Sequence, residues 1–286
     1  MINILKKPTF LLFFLGNITS LIGFGFNLIA VSWLVLSHTG SEFALGKIIA
    51  SATIPGLFIS FFTGYIIDKT NRKWLMVFLD IFRIFIITFF LIYLQYNDFK
   101  VIYLYPVVFF MGIGNSLFWS TSQAFTQEIV TEEEYFDANK LLSASFQIGS
   151  IIGAGLGGFI VHFYTPFFAL WINVFTYFLS AVFISFAPFK NIKSNEPSKN
   201  IIKSLFKGFA YLKERLDITM LSTTTILSDV AIWGALSVLT ISLSIQIFDK
   251  GSWGYGLLDG FYGMGACLSV IIISYFTSNF AIIFCE

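Results

Sequence analysis

The sequence predicts an all-α polytopic membrane protein of about eight transmembrane helices, and three observations carry that prediction. Hydrophobic residues make up 57% of the 286-residue chain and charged residues only 12%, where an ordinary soluble domain has about 25% charged. Apolar runs of more than about 20 residues recur along the chain, each long enough to cross about 30 Å of hydrocarbon. The cations collect in alternate connecting segments, the distribution that insertion into a bilayer imposes.

Taken in order, Met1 to Lys7 is a short basic lead, and the apolar run after it is far longer than a signal-peptide core and lacks a clear cleavage site. The expected spans are 9–37, 43–67, 74–96, 101–126, 138–163, 166–188, 217–247 and 254–277. At about 1.5 Å per residue each crosses the membrane, the longer ones with tilt. Two connections are long: the polar stretch 128–139 and the Lys-rich stretch 190–215. The second divides the chain into a six-helix part (1–189), a basic loop (190–216) and two further helices (217–286). Within 198–213, Ile201, Ile202, Leu205, Phe206, Phe209 and Leu212 fall on one side of a helix with lysines between them. That pattern reads as an amphipathic helix on the inner membrane surface or as a solvated linker helix.

Placing the N-terminus in the cytoplasm puts Lys6, Lys7, Lys69, Arg72, Lys73, Lys140 and the basic loop inside. Only Lys100 and Lys250 then lie outside, with Lys47 near an outer helix end. The reverse topology would invert the cation bias, so a cytoplasmic N-terminus is expected. Net charge is only +1, and says nothing about partners. The two cysteines, Cys267 and Cys285, suggest neither a disulfide framework nor a metal site, and His38 and His162 both fall at helix ends.

The segment from Gly64 to Lys73 is the most informative. Gly64, Asp68 and the pair Arg72-Lys73 follow the spacing Gly-x-x-x-Asp-x-x-x-Arg-Lys in a tight turn between the second and third spans. Charges there cost little at the interface but would be expensive at the bilayer centre. Short cytoplasmic loops commonly carry Lys and Arg, which accounts for the cations but not for Gly64 and Asp68. About two turns further into the third span lie Asp80 and Arg83. At i and i+3 they can neutralise each other on one helix face, or Asp80 can reach back toward Arg72 and Lys73. In the fifth span Gly149, Gly153, Gly157 and Gly158 leave a smooth face on which a neighbouring backbone can pack closely.

Together these stretches resemble the major facilitator superfamily. The turn resembles its signature loop between helices 2 and 3, and six spans before a long basic loop match the first half of its 6+6 layout. The run Gly149-Ser-Ile-Ile-Gly153-Ala-Gly-Leu-Gly157-Gly158 is similar to its antiporter motif, with Ala154 where the family usually has Pro. Asp80-x-x-Arg83, Ala138-Asn139-x-Leu141 and Asn173-x-x-Thr176 with Ser180 look like the drug:proton antiporter branch that includes macrolide-efflux and enterobactin-exporter-like proteins. The resemblance implies a major facilitator fold in a bacterial cytoplasmic membrane. It also implies an efflux transporter exporting an amphiphile, such as a macrolide-like drug or a siderophore, against protons. Gly64, Asp68, Arg72 and Lys73 would form the inner gate latch, with Asp68 facing a helix N-terminus of the opposite half. Asn71 stands where the family usually has Gly, and tolerates the left-handed conformation such a turn can require.

For proton coupling, Asp229 is the acid deep within a span, and acts either as the coupling carboxylate or as a structural hydrogen-bonding group. Asn27, Gln123, Gln147 and Asn173 either line a substrate cavity or make interhelical contacts. The aromatic content, Trp33, Trp119 and Trp233 included, suits an amphiphile cavity and interfacial anchoring equally. No cofactor is called for, and no Ser/His pair, His/Glu metal spacing or phosphate loop supports an enzyme. Nor does any basic patch form a nucleic-acid groove. A 6+6 transporter needs four helices beyond the eighth span, so a chain ending at Glu286 is expected to be a C-terminally truncated member. The alternative function is then that of a non-transporting fragment or assembly partner.

Overall fold

A computed structural model describes residues 2–189 and 213–283, without the side chains of 2–3, 150, 154, 229–237, 266–267 and 270–283. Most of the segment read as amphipathic, and Cys285, lie outside the described residues. After a single turn at Ile2–Leu5 the chain forms α1 (Pro8–Thr39), α2 (Glu42–Lys69), α3 (Arg72–Tyr96), α4 (Leu104–Ile129), α5 (Glu132–Phe163) and α6 (Pro166–Phe186). Beyond the basic loop come α7 (Leu216–Ser242), a π turn at Leu243–Ile247 and α8 (Gly251–Ile283). Among the described residues α1 to α6 are long and apolar enough to cross a membrane, α4 together with the 3-10 turn Val101–Tyr103 before it. The chain is therefore an all-helical multi-pass membrane protein.

Local chemistry sets the helix ends. Pro8 opens α1, where its missing N–H is no loss, and Gly40 closes it at φ 60° with its N–H on the Leu36 carbonyl. The Ser41 side chain accepts from Ala44 N at 3.2 Å to start α2, and Thr165 accepts from Phe168 N at 3.1 Å to start α6. Asn71 does the same for α3, accepting from Trp74 N at 3.2 Å. Its φ of −73° is ordinary extended backbone, so Asn serves this turn as an N-cap rather than through left-handed tolerance. The polar stretch 128–139 is likewise not a long connection. Thr131 and Glu134 form a capping box, with Glu132 and Glu133 beside Glu134 at the positive end of the helix dipole. Only Val130 and Thr131 separate α4 from α5.

Helices adjacent in sequence are mostly not partners in space. α1 packs against α5 and α6, α3 against α4 and α6, α2 against α4, and α5 against α8. Two apolar cores result. One gathers Phe26, Ile29, Leu34, Ile87, Met111 and Tyr177; the other gathers Phe10, Phe13, Met76, Leu79, Leu117 and Ile184. Phe58, Phe78, Phe85 and Phe178 stay exposed on the outside of the bundle, where lipid is their natural solvent.

Candidate functional site

Between the two cores, α3 contributes Asp80 and Arg83. Asp80 is 0% exposed and Arg83 2% exposed, and they form an ion pair one helical turn apart. Each further arm of the pair reaches a different helix. Ser180 of α6 donates to Asp80 Oδ2 at 2.7 Å. Arg83 donates to Ser20 Oγ of α1 at 3.1 Å, and to Asn115 Oδ1 of α4 at 3.0 Å. Its guanidinium lies 4.1 Å from the Tyr177 ring centre and 4.3 Å from that of Phe118. A buried charge is tolerable only when paired and hydrogen-bonded, and here both conditions hold. Asp80 does not reach Arg72 and Lys73: eight residues along a helix put Arg72 about 12 Å away, while Arg83 and Ser180 are at hand. Sequence reading found Asp80, Arg83 and Ser180 but missed Ser20 and Asn115, which only the packing of α1 and α4 brings in.

The charged turn has a different character. Asp68 is 61% exposed, and its Arg72 ion pair is loose at 3.9 Å. Arg72 turns inward instead, donating to the Ala124 carbonyl at 2.9 Å and lying 3.5 Å from Glu128. Glu128 was missed because α4 continues into what read as a loop. Lys73 donates to the Ala187 carbonyl, just past α6, at 2.7 Å. The cations thus tie the head of α3 to the ends of α4 and α6. Gly64 is exposed, and a β-carbon there would meet nothing within 4 Å.

The α5 glycines divide between two neighbours. A β-carbon on Gly149 would lie 2.5 Å from Leu21 Cβ, and one on Gly153 2.7 Å from the Ile22 carbonyl oxygen. Gly157 faces Ile29 on the same side at 3.4 Å, so this stripe seats α5 on the α1 backbone. Gly158 faces α8, where a β-carbon would come 2.7 Å from Gly256 Cα and from the Ser252 carbonyl.

The remaining candidates do not share one environment. Asn173 is fully buried and Asn27 is 9% exposed, and Asn173 sits where a β-carbon on Gly23 would come 2.5 Å from its Oδ1. Gln147 is half-buried and Gln123 exposed. Asp229 lies on α7 with its side chain outside the described ones. Asp259 was missed: α8 begins at Gly251 rather than 254, which sets this half-buried acid about 12 Å along the helix.

A family model described as "transmembrane secretion effector" matches residues 2–281. An uncharacterized MFS-type transporter of Bacillus subtilis (strain 168), YfmI, is 25% identical over 194 residues, covering 65% of this chain and 46% of the relative. The chain thus spans about half the length of the curated relative it matches. With a match over nearly its whole length and the six-helix packing that positions these charges, the chain belongs to the transmembrane secretion effector family of the major facilitator superfamily.

Proposed function

We propose that the chain works as a secondary active efflux transporter, exporting an amphiphilic small molecule by alternating access in exchange for protons. The observation that carries this reading is the double seat of α5. One stripe of glycines sits on α1 and Gly158 sits on α8, so the helix contacts both neighbours through backbone. Small-residue faces let α5 pack closely by backbone on a helix of the first six and on one beyond the basic loop, across the kind of interface between halves that alternating access moves. The Asp80–Arg83 cluster supports it from the other side, because it ties α1, α3, α4 and α6 into one unit that can move as a body. The family description as a secretion effector favours export.

In this reading Gly64, Asp68, Arg72 and Lys73 form the cytoplasmic gate. The exposed Asp68 carboxylate is free to meet a helix N-terminus when that gate closes. The N-terminus is cytoplasmic and the membrane is the bacterial cytoplasmic one. Asp229 carries the exchanged proton, and drugs such as macrolides and siderophores are the substrate classes. The test is efflux of a fluorescent amphiphile from energised cells expressing the protein. Asp68→Asn is expected to abolish efflux while insertion into the membrane stays normal. Efflux at the unmodified rate would remove Asp68 from the gate and leave the latch without its anion.

A further inference from the structure

We propose that the face formed by α3 and α4, at the end away from the Asp68–Lys73 turn, is a binding site for a single phospholipid with a zwitterionic phosphoethanolamine headgroup. A cavity of about 330 Å³ lies between the two helices, walled by Phe85, Phe89 and Tyr93 on one side and Tyr103, Val107 and Phe110 on the other. A second cleft of about 460 Å³ lies beside it, lined by Gln95, Asn97, Asp98 and Lys100 among others. Tyr103 borders both, so the apolar recess and the polar one adjoin.

Length identifies the apolar part. From Phe85 to Tyr96 the helix rises about 16 Å, close to half of the roughly 30 Å hydrocarbon core and therefore to one leaflet's acyl chain. The walls are aromatic, with Tyr93 and Tyr103 edge to face at 5.1 Å and Phe85 and Phe89 stacked at 6.2 Å. Aromatic side chains, with only two χ angles each, lose less entropy on holding a chain than long flexible aliphatic ones do. Charge identifies the headgroup. Asp98 and Lys100 are both exposed beside the cleft, and among the described residues neither makes an ion pair. An anion and a cation two residues apart match the ammonium and the phosphate of one zwitterion. A purely anionic lipid would leave Asp98 repelled, and a choline headgroup offers Asp98 no N–H. This site is independent of the transport reading, since it needs only that the chain sits in a membrane.

The experiment is native mass spectrometry of the purified full chain, delipidated in detergent and titrated with dioleoyl phosphatidylethanolamine, phosphatidylglycerol or phosphatidylcholine. One phosphatidylethanolamine is expected to stay bound at collision energies that strip the other two. The exposed-loop double variant Asp98→Asn/Lys100→Gln is expected to lose about 30-fold in its retention, about fivefold for each of the two surface charge contacts removed. A second readout follows the chain itself. In Phe89→Trp, the fluorescence added over that of the unmodified protein with its six tryptophans should be quenched by brominated phosphatidylethanolamine at lower lipid ratios than by brominated phosphatidylglycerol. Equal retention of all three lipids, with no effect of the double variant, would make the recess ordinary lipid-facing surface and overturn the proposal. Preferential retention of phosphatidylglycerol would overturn it as well.

Discussion

Replacing Asp80 with alanine tests the physical account of the bundle centre most directly. The carboxylate is completely enclosed and is the only anion among the described ion-pair partners of Arg83. Without it, Arg83 keeps hydrogen bonds to Asn115 at 3.0 Å, Ser20 at 3.1 Å and the Leu79 carbonyl at 3.3 Å. Its charge, however, has no counterion in a low-dielectric setting. Stranding one member of a buried pair costs about 3–5 kcal/mol, or roughly two to four powers of ten in the folding equilibrium. Removing both charges is a different perturbation. In Asp80→Leu/Arg83→Met the desolvation penalties vanish together, and Ser20 and Ser180 can bond to carbonyls of their own helices. The double variant should be as stable as the unmodified protein or more stable by about 1–4 kcal/mol, the range found when buried ion pairs give way to apolar packing. The assay is reversible unfolding of purified protein in mixed micelles by SDS titration, followed by circular dichroism and fitted for Asp80→Ala and for the cycle of unmodified protein, Asp80→Leu, Arg83→Met and Asp80→Leu/Arg83→Met. The coupling energy should be favourable and about 2 kcal/mol or more. A single Asp80→Ala variant costing under about 1 kcal/mol, or losses that simply add, would mean that Arg83 is solvated and that the pair does not bind the helices together.

Four further outcomes follow. Gly153→Ala brings a methyl to 2.7 Å from the α1 backbone and should destabilise the protein by about 1–3 kcal/mol. Gly155→Ala, with nothing within 4 Å of its β-carbon, should be neutral or slightly stabilising, and equal effects in the same SDS titration would refute the α1–α5 seat. Asn71→Ala should cost about 1 kcal/mol and Asn71→Gly only a few tenths; hydrogen exchange at the first turn of α3 reads the difference, and an undisturbed turn in Asn71→Ala would rule out the cap. Arg72→Ala removes the link to Ala124 and Glu128, so proteolysis between α2 and α3 should speed up several-fold while that between α5 and α6 is unchanged. Asp229→Asn should remove the pH dependence of efflux; if that dependence persists, Asp229 is structural and Asp259→Asn becomes the variant to measure.

Much of this protein is readable before folding is considered. Apolar run lengths place the helices to within a few residues, because a bilayer demands about 20 apolar residues per crossing. The stop and start chemistry at Gly40-Ser41, Asn71 and Thr165-Pro166 is local, so it too is written in the chain. Even the capping box at Thr131 and Glu134 was present in the sequence, although its acidic neighbours made the segment look like a loop. Asp80 and Arg83 could be paired on paper, since i and i+3 share a helix face whatever surrounds them.

Tertiary structure decided the rest. Helical periodicity says which residues share a face but not which helix covers it, and in lipid every apolar face looks alike. Only packing shows that Ser20 and Asn115 complete the Asp80–Arg83 cluster, that Arg72 turns toward Glu128 rather than holding Asp68, and that neighbouring glycines on α5 serve different partners. The sequence by itself determined an all-helical membrane protein and the positions of its charges, because hydrocarbon thickness and backbone capping act over short stretches of chain. Which groups on other helices complete those charges depends on contacts between residues from 32 to 100 positions apart, and no local rule contains them.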